Sequence, residues 1–440
     1  MTSMESYQLK IRLEELETAF FRGVKNPVKI SFHPNLTAIV AINGAGKTTI
    51  LEAVAGLLQV MVAKIKSQSV GNITGFEYKK DVHNGARQAI NTLKVTVNGH
   101  ELEWTAVLDR SGYQPELISD FGELEKLVSQ ANELLEVSTV CLPVLAYYPL
   151  QVAALKPIEE KELKTDIFQA YDNALSGNPF EGWNFFEWYK GHEIRAREKE
   201  DSERLVKLIQ KTIYKFLNDG VNKFDDLKTD YEELLSGELV IFKNGDPLKI
   251  NQLSAGEKTL FSFVTDLARR LALLNRDSIN PLEGNGIVLI DEIDLHLHPA
   301  WHRTVLPKLQ DTFPNIQFIV TTHSPFVLQS VPNEHALLLK KAKKSKELET
   351  EELEYEYGSS YETIVEEVFG IKADFALSIE KSLDKFYKMR EEILAGERKL
   401  EDERFIALAG QLAETGLEVR TIVASVMAQL RRHLQIQVPS

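Results

Sequence analysis

The run Ala41-Ile42-Asn43-Gly44-Ala45-Gly46-Lys47-Thr48 constrains this chain more than any other stretch. Glycines set close together between a strand and a helix let backbone N–H groups crowd around a phosphate, and a lysine followed by a hydroxyl residue completes a P-loop. The surrounding pattern agrees. Ile30 and Phe32, then Leu36, Ala38, Ile39 and Val40, read as strands parted by a His33-Pro34-Asn35 turn. After the loop, Ile50, Leu51, Val54, Leu57, Leu58, Met61, Val62 and Ile65 recur at three- and four-residue spacing and predict an amphipathic helix starting at Lys47. Asn43, Gly44, Ala45, Gly46, Lys47, Thr48 and Thr49 are therefore candidate nucleotide contacts, with Lys47 reaching the β/γ oxygens, Thr48 ligating Mg²⁺ and the helix N-terminus adding its positive end. Ala41 stands where the motif's first glycine is usual, which keeps a small residue at that turn.

A second loop, Leu253-Ser254-Ala255-Gly256-Glu257-Lys258, opens a helix predicted from Ala255 to about Leu274. Ser254 and Gly256 can offer N–H groups and a hydroxyl to a γ-phosphate, while Ser254 with Glu257 also reads as an N-cap box; both can hold at once. Such a loop does not easily reach a nucleotide bound to its own chain, so it is expected to cap one held by a neighbour. Ile287 to Ile290 form a buried strand ending in Asp291-Glu292, where Asp291 suits the Mg²⁺ shell and Glu292 suits orienting or deprotonating the attacking water. His323 follows the strand Phe318-Ile319-Val320-Thr321, a position from which it can contact the γ-phosphate. Gln151, just after the apolar Val144-Leu145-Ala146-Tyr147-Tyr148, reads either as a Mg²⁺ or water contact or as a surface glutamine.

Other features point less far. His296, His298 and His302 invite a zinc reading, but Pro299 breaks the segment and leaves no regular ligand spacing, so a loop across a dimer seam is preferred. The aromatic group Trp183, Phe185, Phe186, Trp188 and Tyr189 has helical spacing and acidic flanks, which favour buried core over base stacking. The run Lys340 to Lys346 could touch nucleic acid but better fits a solvated loop or boundary before a Glu-rich stretch, and Cys141 lies in an apolar segment where it should be inert. A net charge of −14 argues against a surface that binds nucleic acid throughout, leaving room only for a local basic groove. One cysteine, no secretion signal and no apolar stretch approaching the ~18 residues of a bilayer span set the expectation of a cytoplasmic protein without membrane contact.

Organisation follows from the periodicities. Leu93 to Val97 and Leu102 to Leu108 around Asn98-Gly99 predict a β-hairpin. Glu159 to Leu235 reads as helical and charged, Pro299 to Phe313 as one helix, and the alternation from Gly237 to Thr321 as a parallel sheet. In the helical tail, Ile379, Leu383, Phe386, Met389 and Ile393 fit a self-packed hairpin as well as a partner-docking face.

Together with Phe20-Phe21-Arg22-Gly23, Asp291 to Pro299, and Thr321-Thr322-His323-Ser324-Pro325, these motifs resemble the ABC-type ATPases of the RecF, SMC and OLD group, in that group's order. Within it the chain looks like the Septu ATPases of bacterial anti-phage systems, which are paired with a separate HNH nuclease. The resemblance implies an α/β fold: an ABC-type P-loop ATPase head, with a β-rich N-lobe and a parallel-sheet core, carrying an inserted helical subdomain and a helical C-terminal tail. The corresponding boundaries are 1–150 for the N-lobe, 151–236 for the insertion, 237–340 for the C-lobe and 341–440 for the tail. It further implies that Lys47, Thr48, Asp291, Glu292 and His323 form one half-site and Ser254 the other, with His298 in the D-loop position. ATP and Mg²⁺ are then the cofactors of a slow, regulatory ATPase that closes as a homodimer or larger assembly and controls a separate nuclease, through which it would meet nucleic acid. The interval from Lys47 to Ser254 is too short for SMC-type coiled-coil arms, and no Toprim pattern follows His323. A RecF-like DNA-repair or DNA-clamping ATPase is the alternative, which the acidic charge disfavours. A transport cassette is disfavoured because it carries Gly where Ala255 sits and Gln where Glu257 sits, and lacks the His298-Pro299 pair.

Overall fold

Strands whose residues are all buried, Leu36–Ala41, Gly286–Asp291 and Ile316–Thr322, form the middle of a six-stranded sheet. Runs buried on both faces belong in a parallel sheet covered on both sides. Its order is Leu348–Glu352, Ala336–Lys341, Leu36–Ala41, Ile316–Thr322, Gly286–Asp291, Val144–Pro149, with all neighbours parallel except the first pair. The register pairs Val40 with Thr322, Ile290 with Val320 and Asp291 with Pro149, so the motif residues leave the sheet at one common edge, at the C-terminal ends of the strands. Ligands of open α/β sheets bind at that edge.

This computed structural model describes residues 7–41, 45–66, 76–111, 116–118, 122–135, 140–149, 166–177, 182–232, 237–342, 347–353, 358–369 and 375–436. The chain divides into two units, Met1–Ile364 and Val365–Ser440.

In the first unit, a five-stranded antiparallel sheet runs Val28–Ser31, Ile11–Ala19, Gln88–Val97, His100–Asp109, Glu116–Ile118. The predicted hairpin is its centre, with Asn98 at φ 48° and Gly99 at φ 84°, the two left-handed residues of a tight hairpin turn. The helix Lys47–Ile65 lies between this sheet and the parallel one. Contrary to the composition-based expectation, that helix is long and apolar enough to cross a bilayer, with mean hydropathy 1.5, but 61% of its apolar window is buried in the fold. A helix apolar all round is what a position between two sheets demands. At the start of the Gly286–Asp291 strand, a Cβ on Gly286 would lie 2.0 Å from the Val144 carbonyl oxygen. Gly286→Ala must therefore push two paired strands apart, and we expect a loss of about 1–3 kcal/mol on unfolding, read from the denaturation midpoint; an unchanged midpoint refutes it.

Three local expectations are corrected. Pro299 to Phe313 is two helices, Pro299–His302 and Val305–Thr312, because Pro307 lacks the N–H a continuous helix needs there and is tolerated only in a new first turn. Phe224–Asp230, within the stretch expected to be helical, is a strand pairing antiparallel with Glu238–Lys243, which therefore stands in a separate three-stranded sheet and not in the parallel sheet expected from Gly237 onward; the ladder shifts between Asp225 and Lys228, where Asp226 is left-handed. Pairing with a neighbouring strand overrides the weak β-propensity of Phe-Asp-Asp-Leu-Lys-Thr-Asp. Lys340 and Lys341 end the strand Ala336–Lys341 opposite Glu349 and Leu348, and Lys340 pairs with Glu351; residues 343–346 lie outside the described residues.

The helical insertion, Gly182–Arg195 and Glu200–Leu217, buries Phe185, Phe186, Trp188 and Tyr189. Phe185 meets Phe261 of the helix Ala255–Leu274 edge-on at 5.9 Å. The aromatic group is thus core, with the Trp183 side chain outside the described residues. Cys141 is buried and forms no disulfide.

In the second unit, Leu377–Leu394, Glu403–Glu414 and Leu417–Ile436 close on one another. Leu383, Phe386, Met389 and Ile393 are buried with Phe405, Leu412, Val423 and Leu430, and Ile379 packs against them. Phe386 stacks on Phe405 at 5.0 Å. Of the two readings for this stripe, self-packing is the one realised.

Candidate functional site

The P-loop strand ends at Ala41, and Ala45 and Gly46 lead into the helix. Gly46 sits at φ +107°, a left-handed turn that a Cβ would strain. Asn43, Gly44 and Gln151 lie outside the described residues. Lys47 is 6% exposed, and its ammonium meets the His323 Nε2 across the sheet edge. An ammonium can only donate, so that nitrogen accepts and the imidazole carries its proton on Nδ1. Burial, then Lys47, holds the His323 pKa below its ordinary value, consistent with a neutral ring. Burial likewise pulls Lys47 down against the opposing attraction of Asp291, Glu292 and Asp294. Among the described residues, no carboxylate forms an ion pair with Lys47. A buried ammonium at the start of a 19-residue helix, with a neutral acceptor as its partner, fits the phosphate chain of a nucleotide.

Beside it, the Thr48 hydroxyl donates to the Asp291 Oδ2 at 2.6 Å, and the Thr321 hydroxyl donates to the Oδ1 at 2.5 Å. A hydroxyl and a carboxylate in contact suit a hard, oxygen-seeking cation. Among the described residues, no group of three or more His, Cys, Asp or Glu side chains could hold a metal, so Mg²⁺ here would take its other ligands from phosphate and water. Thr49 lies in the helix's first turn.

Glu292 follows the strand end at φ +52°, a left-handed conformation rare for a side-chain-bearing residue. Its N–H donates to the Thr321 hydroxyl at 2.7 Å, which fixes the turn. Strain of this kind is of order 1–3 kcal/mol and clusters at functional positions. Two residues on, Asp294 accepts from the Thr322 hydroxyl at 2.6 Å and from the His323 N–H at 3.3 Å. Thr321, Thr322 and Asp294 stand in the sequence only as members of motifs, with no role of their own; their roles as braces come from these contacts.

On the second loop, Ser254 caps the helix Ala255–Leu274. The Glu257 N–H donates to its hydroxyl at 3.4 Å, and the Ser254 N–H donates to the Glu257 Oε2 at 2.8 Å. Lys243 holds the other Glu257 oxygen at 2.8 Å. Burial would raise the Glu257 pKa, but the hydrogen bonds from Lys243 and Ser254 outweigh it and keep the carboxyl below its ordinary range. Glu257, 4% exposed, is thus a charged brace beneath the loop. Gly256 has a neighbour in its own chain: a Cβ there would lie 2.6 Å from the His296 carbonyl oxygen.

His298 is exposed and caps the short helix Pro299–His302, its Nδ1 accepting from the Ala300 N–H at 3.2 Å. His302 has both ring nitrogens engaged, Nε2 with the Leu297 carbonyl at 3.0 Å and Nδ1 with the Ser324 hydroxyl at 2.8 Å. Neither ring presents the shared geometry a zinc site needs.

A protein-family profile described as "AAA domain, putative AbiEii toxin, Type IV TA system" matches residues 153–329. The chain is similar to "Retron Vc95 probable ATPase" of Vibrio cholerae serotype O1 biovar El Tor, at 32% identity over 89% of this chain and 83% of that protein. It is also similar to "Septu protein PtuA" of Bacillus thuringiensis, at 24% identity over 72% of this chain and 73% of that protein. Among solved structures it is similar to the Smc head bound to the C-winged helix domain of ScpA, with a TM-score of 0.48, 20% identity and coverage of 78% of this chain and 99% of that one.

Proposed function

Since this chain belongs to the family of the retron ATPases, within the RecF, SMC and OLD group, we propose that it binds and slowly hydrolyses ATP with Mg²⁺, dimerises around the nucleotide and thereby controls a separate nuclease. One observation carries the catalytic reading: Lys47 with His323, Thr48 with Asp291, and the strained Glu292 converge at the ends of three parallel strands through long-range side-chain contacts. In this reading Lys47 and the P-loop amides hold the phosphates. Glu292 orients the attacking water and takes its proton, and His323 contacts the γ-phosphate. A bound Mg²⁺ would neutralise charge on the phosphates. Ser254 and the exposed His298 serve the site of the other protomer. The test is phosphate release by the purified protein, with light scattering in the presence and absence of ATP. The absence of both turnover and a nucleotide-dependent change in mass would sink the proposal.

The nuclease assignment rests on the resemblance of the motifs to the Septu ATPases, with a relative named "Septu protein PtuA" in agreement with that resemblance. An HNH enzyme is the expected partner, met in the cytoplasm. We assign docking to the part of the 341–440 tail that forms the three-helix unit, on its outer surface, because the inner stripe is consumed by its own core. Truncation after Phe375 should abolish stoichiometric co-purification of the nuclease from the native host while ATP turnover persists. Retained co-purification by the folded truncation would remove the tail from the interface. Recovery of repair proteins and DNA in place of a nuclease would favour the RecF-like alternative.

A further inference from the structure

His302 is the one histidine of its segment whose two ring nitrogens join different parts of the site. A carbonyl oxygen can only accept, so the contact with Leu297 O places the ring proton on Nε2. In the neutral ring the Nδ1 lone pair then receives the Ser324 hydroxyl hydrogen. Ser324 stands at the N-cap of Pro325–Leu328, where a serine ordinarily turns its hydroxyl onto the helix's own N–H groups, yet it makes no such bond. Its hydroxyl is diverted to His302, although Ser324 is only 6% exposed. The loop so gripped is held at two further points. Asp294 takes the Thr322 hydroxyl and the His323 N–H, and the carbonyl of His296, at φ +63°, packs where a Cβ of Gly256 would be.

We propose that His302 is a positioning residue that locks the loop 294–298 to the His323 turn, making the start of the Ser254 helix and the γ-phosphate contact of the same chain one mechanical unit. The proposal rests on the ATPase reading above for its consequence, though not for the lock itself. In a nucleotide-bridged dimer, Ser254 and His298 face the partner's site while His323 faces its own. The Gly256–His296–Leu297–His302–Ser324–His323 path is then the route within one protomer between the two sites. It accounts for glycine at position 256 by close approach of this loop, independently of any phosphate.

The test uses the full chain with His302→Ala, Ser324→Ala and the double variant. Ser324→Ala removes a single hydroxyl, which keeps the test available should the histidine variant fold poorly. Hydrogen exchange without nucleotide should show protection lost together in 293–297 and in 322–324 for either single variant. Loss confined to one segment, or to neither, overturns the lock. In ATP turnover, each single variant should lower kcat about 10- to 100-fold with nucleotide affinity within about threefold of wild type, since small misplacements act on the reacting geometry. The double variant should be no slower than the worse single one, because the two side chains form one contact. Wild-type turnover in the variants, or losses that add, overturns the positioning role. A wild-type protein without turnover would defeat the ATPase reading, while hydrogen exchange would still decide the lock.

Discussion

Glu292→Gln should bind ATP with near wild-type affinity, accumulate as the closed dimer and hydrolyse about 10²- to 10³-fold more slowly. The substitution is nearly isosteric and leaves the Glu292 N–H bond to the Thr321 hydroxyl intact, so the left-handed turn should persist. What is lost is the carboxylate that can orient water and receive its proton. Lys47, the proposed phosphate contact, and Thr48 with Asp291, the proposed Mg²⁺ pair, are left in place. Because nucleotide binding and subunit closure are one event in the proposed cycle, blocking the chemical step should leave the assembly closed. Phosphate release and light scattering on the same samples check both halves. Equal turnover in wild type and variant would refute the assignment of Glu292, and slow turnover without a trapped dimer would refute the link between closure and hydrolysis.

Lys47→Ala should fail earlier, at binding. Removing a charge-assisted contact to phosphate costs about 1.5–3 kcal/mol, or roughly 10- to 100-fold in affinity. The thermal shift that Mg-ATP gives the wild type should accordingly vanish or move to much higher concentration. A second consequence follows from the burial of this lysine. Its pKa is lowered because desolvation outweighs the attraction of Asp291, Glu292 and Asp294, so keeping the ammonium charged in the folded chain costs stability at neutral pH. A group of this kind weakens the fold at every pH below its folded-state pKa, and the penalty fades only as the pH rises through that value. Lys47→Met, which keeps most of the side-chain volume, should therefore melt no lower than wild type without nucleotide. A lower melting point for the methionine variant would mean that the ammonium stabilises the empty site.

The separation of these two phenotypes reflects how the site is assembled. Lys47 sits inside the fold and meets His323, so in the proposed site its loss would remove a phosphate contact. Glu292 lies just beyond a strand end on a strained turn, so its loss spares the phosphate contacts.

Much of this arrangement was legible in the chain itself. The P-loop helix begins at Lys47, and the second helix spans Ala255–Leu274 with Ser254 and Glu257 as its capping pair. These are local matters of periodicity and capping, set within a few residues. The apolar spacing of Leu306, Leu309 and Phe313 reads as one continuous helix from Pro299 to Phe313 and hides the donor that Pro307 lacks. The strand at Phe224–Asp230 was not legible, since its composition disfavours a strand and only the partner Glu238–Lys243 makes it one. The stripe from Ile379 to Ile393 announced an amphipathic helix without saying what would cover it, and Phe405 and its neighbours supply that cover.

By itself, then, the sequence determined the motifs, their order and the caps and turns that present them, because each depends on residues close together in the chain. Only the tertiary structure decided that Thr321 braces Asp291 and Glu292, that Asp294 holds the His323 turn, that His302 joins Leu297 to Ser324, and that Gly256 makes room for His296. Several of those contacts depend on which strand lies beside which and in what register. Parallel strands far apart in sequence are brought level by the packing of the whole sheet, and no local propensity encodes that alignment.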